Sequence, residues 1–384
     1  MIEIIVSILI GLGLGIVAGL VPGLHPNFIA VLLFTSFLNP NLIFVLVAML
    51  ISSQFFEFIR SVFLFVPNDD NVLAMHPIFK MVKEGKALFA LKLCLNGLII
   101  AILFSILASP LLILVVPPVF TAIHDFVPFM LLGIAIFLIF SDEKPFAAVL
   151  VFLSAGAVGY FGLNILQQPL LILLTGFFGL PILLSIQNKI PKQIVSYKFE
   201  IPKGSIKRGL LSGFVSSFLL TFIPSVGPAQ ASVFSRGLLK KSEDFLVAIG
   251  VISGLDSVFS LLMLYSIGRS RVGVIEILGK GFTVDLTMLV LLLLTMLTVA
   301  IISYLLALQL GKFFSKRMAA INYRLLSVIV VLAIASAAFY FDGLIGLFFL
   351  GLAAGVGILA SRLKTKMTHC MGSLMIPTLL YYFV

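Results

Sequence analysis

The chain has 384 residues, 61% of them hydrophobic and only 10% charged. No soluble domain buries that much apolar surface, so the class is integral membrane protein. A net charge of +10 would point to nucleic acid in a soluble protein, but the basic residues here sit in short loops between apolar runs, as the positive-inside rule arranges them, and no nucleic-acid partner is expected.

Met1-Ile2-Glu3 lacks the basic start of a signal peptide, so the first apolar stretch is expected to be retained. Region 2–38 is a long apolar arm, a break at Pro22-Gly23-Leu24-His25-Pro26-Asn27, and a return arm closed by Asn39-Pro40. A return arm of about eleven residues reaches only half way through a bilayer, which predicts a re-entrant helical hairpin. Apolar runs follow at 41–66, 88–116, 118–140, 145–162 and 165–187. Residues 188–207 form a basic linker with two prolines. Region 208–240 repeats the hairpin plan, and runs at 243–268, 281–310, 325–340, 343–360 and 370–384 complete the chain. The two cysteines, Cys94 and Cys370, lie in apolar stretches at a spacing that suggests no metal site.

Placing the basic linker inside forces 67–87, 311–324 and 361–369 inside as well, each rich in lysine or arginine, and the outside loops carry only Arg269, Arg271 and Lys280. That agreement favours hairpins over full crossings and puts both termini on the extracytoplasmic side of a multi-pass cell-membrane protein. The predicted fold is therefore all-α integral membrane, an inverted repeat in which each half is one re-entrant hairpin plus five transmembrane helices. The halves are 1–187 and 208–384, joined by 188–207.

The halves echo each other. "GLGLGIVAGLVPGLHPN" (11–27) aligns without gaps on "GFVSSFLLTFIPSVGPA" (213–229), with Pro22 on Pro224 and Pro26 on Pro228. At the same offset Gln54 falls on Asp256. An odd number of crossings per half inserts the two in opposite orientations, as in many secondary transporters.

A Pro/Gly break at membrane depth frees backbone N–H groups, and those groups with the helix dipole favour an anion. The first break offers Pro22, Gly23, His25, Pro26 and Asn27, and the second Pro224, Ser225, Gly227, Pro228, Gln230 and Ser232. The competing reading is that the prolines only kink helices. Asp256 is the acid in mid-crossing, so it reads either as a proton or sodium coupling site or as a protonated carboxyl hydrogen-bonded to another helix. Ser52, Ser53, Ser253 and Ser257 sit beside Gln54 and Asp256; all four could line a substrate path, with Ser53 and Gln54 toward the substrate and Ser257 toward the coupling ion, or could equally be small packing residues. Arg269 and Arg271, just outside that crossing, read chiefly as headgroup anchors, or as attractors of an anion. Glu57 and Arg60 are spaced to pair on one helix face. No metal site, nucleotide-binding loop or catalytic residue is expected. The only nucleophile and base that can be assembled, His25 with Ser225 or Ser232, is weak support for an enzyme.

"GIVAGLVPGLHPNFIAVLL" resembles the first signature of the large membrane subunit of tripartite tricarboxylate transporters, a Gly-rich helix ending in Pro-Gly-x-Gly-Pro-Thr. "SSQFFEFIRSVFLFVPNDDNVLAMHPIFKMVKEGKALFAL" resembles the block that follows it, with Gly85, Lys86, Ala87 and Leu91 on its pattern, and "FIPSVGPAQASVFSR" resembles the second signature. His25 stands where the family has a small residue and Ser225 stands for a glycine, and the chain is shorter than bacterial members, like a compact archaeal-type branch. The resemblance implies a permease for carboxylate anions, driven by a proton or sodium gradient without other cofactors. It implies an extracytoplasmic binding protein and a small membrane subunit as partners, besides lipid and a possible homodimer. Similar Pro-Gly hairpins occur in translocases of polyprenyl-phosphate lipid carriers, which is the alternative function.

Overall fold

A computed structural model describes residues 2–383 apart from 22–23, 25, 37–38, 68–70, 124–125, 141, 186–190, 196–201, 222–227 and 319–322. Among the described residues every regular element is helical, and seven helices are long and apolar enough to cross a membrane.

Helix α1 (Ile2–Leu20) is followed by α2 (Pro26–Ser36) and α3 (Leu42–Leu64). Pro26 opens α2, where a missing N–H costs nothing. Gly11, Gly15 and Gly19 turn one bare stripe of α1 toward α3. A Cβ on Gly15 would lie 2.5 Å from the Met49 carbonyl oxygen, and one on Gly19 2.6 Å from that of Ser53. With no hydrophobic drive between helices in lipid, such backbone contact is what holds them together. The contacts advance in step, 11 with 45, 15 with 49 and 19 with 53, so α1 and α3 run parallel. Asn41, just ahead of α3, donates to Glu3 at the start of α1 (3.1 Å). Consecutive parallel helices need a return segment, and α2 is that segment.

The second half starts the same way, with α10 (Lys203–Thr221), α11 (Pro228–Leu238) and α12 (Ser242–Ile267). Cβ atoms on Gly209 and Gly213 would lie 2.6 and 2.8 Å from the Asp244 and Ala248 carbonyl oxygens, so α10 and α12 are parallel too.

Between these units lie α4 (Met75–Lys83), α5 (Ala87–Ile123), α6 (Val127–Phe140), α7 (Pro145–Ile165), α8 (Pro169–Leu174) and α9 (Leu180–Ser185), the last two joined by a π-turn at Thr175–Gly179. After α12 come α13 (Gly273–Gly281), α14 (Leu286–Arg317), α15 (Tyr323–Leu363) and α16 (Gly372–Phe383). Two boundaries differ from the hydropathy runs. Helix α5 continues through Pro117 and Pro118 to Ile123, leaving α6 only 14 residues. Helix α15 contains two runs, with a non-helical turn at Gly343 (φ 60). Gly346 faces the Ala338 carbonyl eight residues earlier, so the chain folds back on itself there.

Helices α3 and α12 are buried along their whole apolar windows. Helix α12 packs chiefly on α5 and α10, and α3 on α1 and α14. Gly97 faces the Val247 carbonyl, Gly250 faces the Cys94 carbonyl, and a Cβ on Gly254 would lie 2.7 Å from the Leu98 oxygen, so α5 and α12 are parallel. Gly311 of α14 packs on Leu91, and Tyr304 donates to Asn96 (2.8 Å), so α14 runs antiparallel to α5. Helices α7, α8, α9, α15 and α16 form an outer group.

The linker does more than connect. Gln193 accepts from the Ala87 N–H (3.0 Å) and donates to the Val82 carbonyl (3.1 Å), while Ile194 N–H donates to Gly85 oxygen (2.8 Å). Gly85 sits at φ 78, the left-handed region that favours glycine. Residues 191–194 are thereby docked on the α4–α5 turn.

A second polar junction joins the α6–α7 turn to the start of α16. The Asp142 carboxylate accepts from the Lys144 and Lys366 N–H groups (both 3.0 Å) and from His369 Nε2 (2.8 Å). Burial pushes the Asp142 carboxyl up, but these donors outweigh it and bring the value down to about 2. Burial lowers the His369 imidazole, against the Asp142 bond that raises it. A carboxyl lowered in the folded state stabilises above its ordinary range and loses that contribution as pH falls toward 2. An imidazole kept neutral by the fold favours unfolding once pH drops below its ordinary range. The imidazole acts first, so the melting temperature in detergent is expected to fall between pH 7.5 and pH 5, and the Asp142 carboxyl adds to the fall below about pH 4. Asp142→Asn is expected to lower it at pH 7.5, and a melting temperature insensitive to both changes would contradict this role.

Candidate substrate and coupling site

The two fully buried helices carry the repeat-related residues. Gln54 of α3 donates through Nε2 to the Ser253 carbonyl oxygen (3.1 Å) and to Ser257 Oγ (2.7 Å) of α12, and its Oε1 is buried without a donor. Asp256, between those serines, meets Arg271 with Oδ1 3.3 Å from Nη2, and both side chains are about nine-tenths buried.

Arg271 reaches the middle of a crossing because the chain reverses. Gly268 ends α12 in the left-handed conformation (φ 68), its N–H on the Leu264 carbonyl (3.1 Å). The following residues turn back, and α13 packs on α2, α3 and α12. A lone acid at that depth needs a cation, and Arg271 supplies it. It is thus a buried partner and not a headgroup anchor. Arg269 stacks its guanidinium over the Phe120 ring at 5.5 Å.

Asn27, the second residue of α2, accepts from the Val274 N–H (3.1 Å) in the first turn of α13. A Cβ on Gly273 would come within 2.8 Å of the Asn27 side chain, so glycine is what permits the approach. Two helix N-termini meet here, and their N-terminal amides and dipoles make the spot positive. Asn27→Ala removes an N-terminal acceptor worth about 1 kcal/mol. Hydrogen exchange of the first α13 amides is expected to accelerate about fivefold, and unchanged exchange would contradict the capping role.

At the other end of the first break, Arg60 of α3 donates to the Val21 (3.1 Å) and Ala18 (3.4 Å) carbonyl oxygens. These lie at the C-terminal end of α1, Ala18 in its last turn and Val21 just past it, where carbonyls lack helical partners and favour a cation. Spacing alone suggested only the pairing with Glu57.

Pro22, Gly23, His25, Pro224, Ser225 and Gly227 lie outside the described residues, as does the side chain of Gln230. Pro26, Pro228 and Ser232 are buried at the starts of α2 and α11. Ser53 donates within its own helix to Leu50 (2.8 Å), and Ser253 likewise to Ile249 (3.2 Å). Ser52 donates to Leu12 of α1 (3.0 Å) and is a packing residue. Gln54, Asp256 and Ser257 are brought together, with Asn27 joined to the same region through α13.

The family model for the tripartite tricarboxylate transporter TctA family matches residues 5–372. An uncharacterized protein of Methanocaldococcus jannaschii is 29% identical over 382 positions, covering 93% of this chain and 94% of that relative. No solved structure matches the chain. Members of the matched family are multi-pass permease subunits that work with a binding protein and a small membrane subunit. An all-helical chain with seven bilayer-length apolar helices, matched over nearly its whole length, belongs to the tripartite tricarboxylate transporter TctA family.

Proposed function

We propose that this chain is a secondary permease that moves a small di- or tricarboxylate coupled to a proton or sodium gradient, with the anion held between the two hairpin breaks near the membrane midplane. The observation that carries the reading is the meeting of Gln54, Ser257 and Asp256 at the crossing of α3 and α12, beside the paired N-termini of α2 and α13. Anion-favouring amides and an ionisable carboxylate in one buried place are what coupled anion transport needs.

The reading includes two inverted halves, 1–187 and 208–384. Supporting it, α2 and α11 are both 11 residues long and begin at Pro26 and Pro228. Helices α1–α3 and α10–α12 are parallel pairs built alike. Helix α3 returns into α5, which runs parallel to α12, as expected of halves inserted in opposite senses. The termini are then extracytoplasmic, and a binding protein would deliver the anion on that side.

Uptake of labelled citrate and succinate into proteoliposomes tests the proposal. Accumulation driven by an inward proton or sodium gradient is expected, and Asp256→Asn should uncouple it. Intact gradient-driven uptake in that variant would remove the coupling role. Movement of a polyprenyl phosphate, with no carboxylate uptake, would replace the cargo.

A further inference from the structure

Arg271 lies outside both hairpin breaks in the sequence, yet the fold sends it from a loop into the level of Asp256. A buried arginine is expensive, and Asp256 is one partner that supports it, 3.3 Å away through Nη2. Its guanidinium is a planar fork of donors whose geometry matches a carboxylate. Three residues on, the Val274 N–H meets Asn27, so the surroundings already favour negative charge.

We propose that Arg271 is the residue that binds the carboxylate of the transported anion, that Asp256 occupies Arg271 while the site is empty, and that Asp256 takes up one proton when the anion displaces it. The inference rests on the permease reading above and names the ligand and the coupling ion for that site. In the empty site, Asp256 and Arg271 neutralise each other. In the loaded site, one carboxylate of the anion neutralises Arg271, its remaining carboxylates lie toward the helix N-termini at Asn27 and Val274, and the displaced Asp256 carries a proton drawn from the water on the side of entry. On release, Asp256 returns to Arg271 and its proton leaves on the far side. In both states Arg271 faces one carboxylate. A loaded site with ionised Asp256 sets a second carboxylate against the one guanidinium, and an empty one with protonated Asp256 takes away the counter-charge that Asp256 supplies, so both are rare in low dielectric. That penalty makes the coupling obligatory.

The other charged groups on elements packed against α12 stand at other levels or have their own partners. Arg208 holds Asp244 (2.5 Å), Arg236 lies over the Phe245 ring, and Glu276 pairs with Lys280 (3.0 Å) in solvent. Glu57 and Arg60 lie one and two turns along α3 from Gln54, with Arg60 on the α1 carbonyls. Lys92 precedes Cys94, which meets α12 at Gly250, and Lys312 lies next to Gly311, which packs on Leu91. The neutral neighbours are Gln54, Ser253 and Ser257.

The test is calorimetric titration of citrate, succinate and inorganic phosphate into the full-length protein in nanodiscs, in two buffers of different ionisation enthalpy at about pH 8, where the carboxylates are ionised. Wild type is expected to take up about one proton per anion bound. Asp256→Asn, which frees Arg271 from its competitor, should bind at least as tightly with no proton uptake. Arg271→Lys, which loses the fork, should bind about tenfold more weakly or worse. Binding by wild type without proton uptake, or wild-type affinity in Arg271→Lys, overturns this inference and leaves the permease reading standing. Failure of wild type to bind any of the three anions overturns both. The wild-type proton count decides the matter even if a variant fails to fold.

Discussion

Arg271→Gln is expected to destabilise the protein by about 3–5 kcal/mol, because it leaves the Asp256 carboxylate buried with no cation. The partners are 3.3 Å apart and about nine-tenths buried, so neither solvent nor salt screens the loss. The double variant Asp256→Asn with Arg271→Gln should regain most of the stability, since it buries two neutral amides of similar size in place of an orphaned charge. The measurement is the denaturation midpoint of all three proteins in one detergent. Equal losses in the single and double variants would mean that Arg271 acts through packing and not through charge. The same pair that stabilises the fold is the one proposed to open on anion binding, so stability and transport should separate in Asp256→Asn.

Gly250→Leu is the second large effect, expected to cost about 3 kcal/mol or to prevent accumulation of folded protein, because overfilled cores relieve strain only by moving backbone. Gly250 faces the Cys94 carbonyl and Gly97 faces that of Val247, so the α5–α12 contact is backbone on backbone. A side chain at either glycine separates two helices that position Asp256. Gly351→Ala is the matched control. It sits in α15 with no atom within 4 Å of an added Cβ, so it is expected to be neutral or to stabilise by up to about 1 kcal/mol through helix propensity. Equal thermal stability of the Gly250→Leu protein and wild type would refute the close approach.

Much of this architecture is written in contiguous residues. Proline restricts its own φ and lacks an N–H, so Pro26 and Pro228 mark the starts of α2 and α11 in any context. Hydropathy over about 20 residues marks the long crossings. The alignment of Gln54 on Asp256 singled out two residues that prove to lie at one helix crossing. The same local rules failed at Pro117-Pro118, where α5 continues, because neighbouring helices can support a proline that an isolated helix would not tolerate.

The sequence by itself determined the membrane class, the long apolar helices, the helix starts at Pro26 and Pro228 and the family, because each is carried by local composition, proline placement or motif. Only the tertiary structure decided which polar groups meet. The pairing of Arg271 with Asp256 depends on the reversal at Gly268 and on where α13 docks. Arg60 reaches the end of α1 only because Gly11, Gly15 and Gly19 bring α1 against α3. Charge burial is decided by the whole packed environment of a side chain, and no window of neighbouring residues contains that environment.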